Sequence, residues 1–204
     1  MKEQKPKKIL AVNGSPRRAA TRKALDIALE EIAAKGIEYD ILDFHKMEFS
    51  LCVDCGGCLK KRSRECIRFK DDLTGWSTKF PDYDGYLIAS PVYDRNVSAQ
   101  LLAFFNRMRS NWIFLEKNPW LFADKTGASI AVGGSRYGGQ ELTLDAINNY
   151  FMSIGVKVIT GGPFANNGAG VWSNDKGAEG VLEDHEGLKS LKALGLSLAR
   201  SLST

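Results

Sequence analysis

The sequence predicts an open, doubly wound parallel α/β sheet. Three observations predict it. Short apolar runs of strand length recur along the 204 residues, stretches of helical period separate them, and the loops after the first, third and fourth runs are rich in Gly, Ser or Pro. Sheets of this kind bind ligands beyond the carboxyl ends of their strands, near the switch in strand order, so those three loops are expected to share one site.

Each element has its own signal. Ile9-Leu10-Ala11-Val12, bounded by Lys8 and Asn13-Gly14, reads as a buried first strand. Over residues 21–35, Ala24, Leu25, Ala28, Leu29 and Ile32 fall at helical spacing, and Gly36 stops the helix. Residues 37–44 form the second strand. A cysteine-bearing irregular insertion occupies about residues 45–72, and Asp71 or Asp72 caps a short helix at 73–79. Tyr86-Leu87-Ile88-Ala89 is the third strand, ending at Ser90-Pro91. Residues 97–109 are helical, with Leu101, Leu102, Phe104, Phe105 and Met108 covering much of the surface.

Trp112-Ile113-Phe114-Leu115 and Trp120-Leu121-Phe122 form an apolar insertion that would favour self-association if exposed. Ala128-Ser129-Ile130-Ala131-Val132 is the fourth strand, ended by Gly133-Gly134. Residues 142–154 are helical, residues 156–159 are the fifth strand, residues 161–180 are a Gly- and Asn-rich loop, and residues 188–202 are the closing helix. No repeat or linker divides the chain, so residues 1–204 are expected to be a single domain.

Composition removes several classes. With 44% hydrophobic and 25% charged residues the chain is an ordinary globular protein. A net charge of +4, with no recognition motif, gives no reason to expect nucleic acid. No stretch approaches the roughly 18 apolar residues of a membrane span, and the Lys-rich start lacks the apolar run of a signal peptide. The expected location is the cytoplasm, where clustered cysteines are more often metal ligands or catalytic groups than disulfides.

All four cysteines lie in one segment, Cys52-x2-Cys55-x2-Cys58-x7-Cys66. Soft thiolates favour iron–sulfur clusters, zinc or Cu(I), and bacterial ferredoxins open with the same x2-x2 spacing. A [4Fe–4S] cluster needs four thiolates and four are present. Structural zinc and a thiol–disulfide site are the alternatives, although zinc usually draws on two separated Cys pairs. Gly56-Gly57 lets the backbone wrap closely. Lys60, Lys61, Arg62, Arg64, Arg68 and Lys70 surround Cys66 with positive charge, which favours thiolate and would attract an acidic electron carrier.

After the first strand come Gly14-Ser15-Pro16-Arg17-Arg18-Ala19-Ala20-Thr21. Hydroxyls, a guanidinium and free N–H groups at a helix start can hold a phosphate, whereas a plain strand–turn–helix with a Thr21 cap is the structural alternative. Neither Gly-x-Gly-x-x-Gly nor a Gly-Lys-Ser/Thr P-loop is present.

Taken in order, Gly14-Ser15-Pro16-Arg17, Ser90-Pro91-Val92-Tyr93 and Gly133-Gly134 with Gly138-Gly139-Gln140-Glu141 resemble the NAD(P)H-dependent FMN reductase family, of flavodoxin-like fold. The cysteine motif followed by Asp71-Asp72 resembles its iron–sulfur flavoprotein branch. The resemblance implies a three-layer sandwich around a five-stranded parallel sheet of order 2-1-3-4-5. It implies FMN phosphate contacts from Ser15, Arg17 and Thr21, with Arg18 and Ala20 lining the loop. Pro91, Val92, Tyr93 and Asn96 would lie against the isoalloxazine ring, and Gly133, Gly134, Tyr137 and Gly138 would close over its other side. Cys52, Cys55, Cys58 and Cys66 would hold a [4Fe–4S] cluster.

The expected activity is electron relay between a donor, ferredoxin or NAD(P)H, and a small-molecule acceptor, in a homodimer or homotetramer. The alternatives are an NAD(P)H-dependent FMN or quinone reductase without iron, and a non-enzymatic flavin electron carrier. No separate catalytic side chain is assigned, because the cofactors carry the chemistry.

Overall fold

The computed structural model describes residues 6–203. Its sheet holds β1 (Lys8–Asn13), β2 (Glu38–Asp43), β3 (Gly85–Pro91), β4 (Thr126–Gly133) and β5 (Lys157–Val158), all parallel, in the order β2-β1-β3-β4-β5. This is the expected order, with an addition. A sixth strand, β6 (Ala169–Trp172), also pairs parallel to β4.

The fifth lane of the sheet is therefore split. β5 pairs with Thr126 and Gly127 at the start of β4, and β6 pairs with Ile130 to Gly133 at its end. The expected strand over residues 156–159 is shorter than anticipated, and the expected 161–180 loop contains β6 and a short helix. Ala-Gly-Val-Trp is four residues with a glycine inside. It has no alternating pattern strong enough to announce a strand, and β4's free edge supplies the pairing.

Among the described residues the α-helices are α1 (Ala20–Ala33), α2 (Gly57–Lys60), α3 (Trp76–Lys79), α4 (Ala99–Arg107), α5 (Trp112–Lys117), α6 (Gln140–Ile154), α7 (Ala178–Glu183) and α8 (His185–Ser203). Side-chain alternation along the strands makes two cores. Ile9, Ala11, Leu87, Ala89, Ile130 and Val132 meet α1 and α8 in an aliphatic layer. Leu10, Val12, Tyr86 and Ile88 face the other way, into an aromatic layer with Phe80, Phe104, Phe122 and Phe151. There the Tyr86 ring stacks on Phe80 at 4.4 Å, and its hydroxyl donates to Phe80 O at 2.8 Å. Both faces being covered explains why the central strands read as unbroken apolar runs.

The apolar insertion before β4 divides in two. Ile113 and Phe122 enter the core, while Trp112 and Trp120 remain 56% and 76% exposed.

Candidate functional site

Gly14 leaves β1 so close to β3 that its N–H donates to Ala89 O at 2.8 Å. Ser98, the N-cap of α4, donates from Oγ to Gly14 O at 2.5 Å and accepts from the Leu101 N–H. The loop then tightens on itself, because Ser15 Oγ accepts the Arg17 N–H at 3.1 Å. Helix α1 follows with Ala19 at its N-cap. It has no side-chain cap and no acidic residue in its first turn, so its leading N–H groups face an anion-friendly end. Thr21 is buried inside the first turn and does not cap the helix.

The three arginines here have different roles. Asp43, at the end of β2, binds Arg18 Nε at 2.9 Å and Arg22 at 2.8 Å, and also receives the Asn13 amide and the His45 N–H. Burial opposes the charge on Asp43, but the His45, Asn13, Arg18 and Arg22 donors together hold its carboxyl below the usual range. His45 Nδ1–H donates to Pro16 O at 3.1 Å and ties β2's exit to the loop. Arg17 is exposed and makes no ion pair among the described residues. Arg18, by contrast, is held by a carboxylate.

The second loop turns back within four residues. Tyr93 and Asn96 exchange backbone hydrogen bonds at 2.9 and 3.0 Å, and the central residues Asp94 and Arg95 both adopt the left-handed conformation, φ 49° and 61°. Two positive φ values in a two-residue turn mark the primed class. Pro91 is buried, Val92 and Tyr93 are half-buried, and Asn96 is exposed, its side-chain oxygen accepting the Val97 N–H.

The third loop rests on the second. Gly139 has φ 113°, and a Cβ there would stand 2.7 Å from Arg95 Cα. Gln140 reaches back to Ser135 O at 2.7 Å and fills the space beside buried Gly133. Ser173, just after β6, donates its N–H to Gly133 O at 2.8 Å, so the unforeseen strand braces this loop. Gly134 and Gly138 are half-buried, and Tyr137 is 93% exposed at the loop tip. The three loops thus converge at the carboxyl edge of β1, β3 and β4. The structure links them by contacts that sequence alone did not specify.

The four cysteines line one pocket, together with Ile67, Phe69 and Arg107. Left-handed Gly56 starts α2, which carries Cys58, and Gly57 sits where a Cβ would meet Ile67 Cδ1 at 2.8 Å. Burial pushes the Cys58 thiol upward, with the neighbouring Cys66 and Cys52 adding to the effect. All four are free thiols. Among the described residues, no three His, Cys, Asp or Glu side chains form a group able to hold a metal ion.

Arg107 is the site residue that sequence reasoning missed. It is buried, pairs with Asp71, donates to Ser50 O at 2.8 Å, and among the described residues its Nε–H has no partner beside the cysteines. A signal existed: Arg107 lies three residues after Phe104, on the helix face that also carries Leu101 and Met108.

The fold and the three-loop edge define a flavodoxin-like, flavin-dependent oxidoreductase. The chain belongs to the NADPH-dependent FMN reductase family, which it matches over residues 7–170. It is 40% identical over 185 residues to an iron–sulfur flavoprotein of Archaeoglobus fulgidus, covering 90% of this chain and 91% of the relative. An iron–sulfur flavoprotein of Methanocaldococcus jannaschii is 38% identical over 186 residues, covering 91% of each. Among solved structures, an NAD(P)H:quinone oxidoreductase from Methanothermobacter marburgensis superposes with a TM-score of 0.61 at 15% identity, covering 98% of both chains. The fold is likewise shared with a WrbA-like flavodoxin from Agrobacterium tumefaciens, TM-score 0.62 at 12% identity over 98% of both chains. Among the described residues, no helix is long and apolar enough to cross a membrane.

Proposed function

We propose that this chain is a single FMN-binding domain that also carries a [4Fe–4S] cluster and relays electrons from ferredoxin or NAD(P)H to a small acceptor. FMN exchanges electrons singly or as hydride and a cluster passes them one at a time, so holding both converts between the two kinds of donor and acceptor. The single observation that carries the reading is the set of four free thiols around one pocket in a flavin-reductase fold. Four thiols match the ligand count of a [4Fe–4S] cluster, and their single-segment spacing differs from the two separated Cys pairs that structural zinc usually draws on. The names of the curated relatives support the same choice.

The chain's residues have these roles in the proposal. Arg17, Ser15 and the uncapped start of α1, with Ala20 and Thr21, hold the FMN phosphate, and Arg18 stays on Asp43 as a brace. Pro91, Val92, Tyr93 and Asn96 support one face of the ring. Gly133, Gly134 and Gly138 bring backbone close to the other, with Tyr137 free to close over it. Cys52, Cys55, Cys58 and Cys66 ligate the cluster, and the unpartnered Arg107 Nε–H is a ready donor to sulfur. Exposed Lys60, Lys61, Arg62, Arg64, Arg68 and Lys70 give an acidic carrier a docking face.

The cysteine pocket lies at the Arg107 end of α4 and the phosphate loop at the Ser98 end, about 13 Å away along the axis. A homodimer or homotetramer that brings a partner's cysteine segment near the loops would shorten that path, and the exposed Trp112 and Trp120 offer apolar surface for it.

Anaerobic purification followed by iron, sulfide and flavin analysis tests the reading. Each of Cys52→Ser, Cys55→Ser, Cys58→Ser and Cys66→Ser should lose iron and cluster absorbance while keeping flavin. Full iron content in all four variants, or a wild-type protein that binds zinc and refuses iron, would reject it.

A further inference from the structure

Arg107 ends α4, and the chain runs on without a break into a 3₁₀ turn, Met108–Asn111. A 3₁₀ helix has three residues per turn, so side chains three apart eclipse. Arg107 and Ser110 therefore lie one above the other, and both line the pocket of the four cysteines. Both residues are more than nine-tenths buried. Among the described residues, neither Ser110 Oγ nor Arg107 Nε has a hydrogen-bond partner, and solvent does not reach either atom. Native structures rarely keep a buried donor unmade without a use for it.

The lining of the pocket shows what these donors can meet. Among the described residues, its other side-chain acceptors are the four sulfurs and Asp54, and Arg109 holds Asp54 at 3.0 Å. Ile67 and Phe69 supply apolar wall. The Arg107 guanidinium lies within electrostatic reach of two of the cysteines. Burial opposes its charge, while Asp71 first, and then Cys66 and Cys52, favour it. Hydrogen bonds to the sulfurs of a cluster are one of the levers that set its reduction potential.

We propose that Ser110 Oγ–H, with Arg107 Nε–H beside it, donates to the sulfurs of the [4Fe–4S] cluster and raises its reduction potential. The proposal rests on the cluster reading above and names the residues that set the potential of that site. One-electron reduction, by the ferredoxin or NAD(P)H donor of that reading, breaks no bond and adds one negative charge to the iron–sulfur unit. A hydrogen-bond donor then holds the reduced form more tightly than the oxidised one, and the apolar wall strengthens the preference. The two donors differ in what else they do. Arg107 ties Asp71 and Ser50 together, so its loss would also loosen the cysteine segment. Ser110 Oγ has no such second duty among the described residues, and its hydroxyl can be removed without touching the ion pair.

The test is a reductive titration of the anaerobically purified holoprotein with dithionite, the cluster followed by EPR. In Ser110→Ala the reduced cluster should be held about tenfold less tightly relative to the oxidised one, a fall of about 59 mV in its midpoint. Iron content should stay complete. The flavin couple, followed by absorbance in the same titration, should not move. In deuterated solvent the Fe–S stretching bands of the wild type should shift, and those of Ser110→Ala should shift less. An unmoved cluster midpoint, or a fall shared equally by the flavin couple, would overturn the proposal. So would an alanine variant that loses its iron, because the hydroxyl would then be structural. A wild-type protein that takes no iron removes the cluster reading and this proposal with it. An iron-loaded wild type whose midpoint is matched by Ser110→Ala removes this proposal alone.

Discussion

Arg107 and Asp71 form a two-pronged buried ion pair, one guanidinium nitrogen 2.6 Å from one carboxylate oxygen and the other nitrogen 3.0 Å from the second. Arg107 is only 3% exposed. Asp71 also accepts the N–H groups of Ser50 and Leu73, so one carboxylate joins both ends of the cysteine segment to the end of α4. Removing the guanidinium would leave a desolvated carboxylate unpaired. Arg107→Met is therefore expected to cost about 3 kcal/mol in denaturant unfolding. Arg107→Lys should recover only part, because an ammonium cannot reproduce the fork. A Lys variant as stable as wild type would show that the bidentate geometry contributes nothing.

The same pair sets an acid limit. Burial opposes the charge on Asp71, but Arg107 and the Ser50 N–H outweigh it and hold the carboxyl below its ordinary value. A depressed folded-state pKa gives stability that is complete above the unfolded value, near 4, and is lost as pH falls through the folded one. Asp43 behaves alike. Melting temperature should hold from neutral down to about pH 5 and fall below pH 4. Asp71→Asn should start lower and show a shallower acid limb.

Flavin binding should discriminate between the adjacent arginines. Arg17, unpaired, is expected to contribute directly to phosphate binding, and Arg18 only through Asp43. Arg17→Ala should weaken FMN about tenfold, flatten the salt dependence and bring FMN close to riboflavin in affinity. Arg18→Ala should cost less than half as much in log units. Fluorescence titration of flavin-free protein measures both, and equal losses would mean the two share the phosphate.

Gly139 should be intolerant in a way that Gly36 is not. Both have positive φ, at 113° and 75°, but among the described residues nothing lies within 4 Å of a Cβ at Gly36, whereas one at Gly139 would strike the Arg95 backbone. Gly36→Ala should cost about 1 kcal/mol from backbone strain alone. Gly139→Ala should cost about 2 kcal/mol or more and loosen flavin binding, because the third loop must leave the second. Thermal unfolding and flavin titration of the two variants would expose any failure of that ordering.

How much of this was legible depended on range. The apolar runs at residues 9–12 and 128–132 and the helical period from Ala24 to Ile32 are local patterns, and each became the expected element. The residue types at the three loops and the spacing of the cysteines were also plain. Asp71 and Arg107 lie 36 residues apart, and no local rule joins them. The Gly139–Arg95 contact is of the same kind. β6 escaped because four residues containing glycine have little strand preference until the edge of β4 offers them partners.

By itself, the sequence determined the alternation of strands and helices, the thiol set and the phosphate-friendly turn, because side-chain chemistry and backbone preference act over a few residues. Only the tertiary structure decided which arginine is free, which is held by Asp43 and which is buried on Asp71. Those fates depend on which charges the crossovers bring within 3 Å, and burial then turns proximity into a fixed pairing.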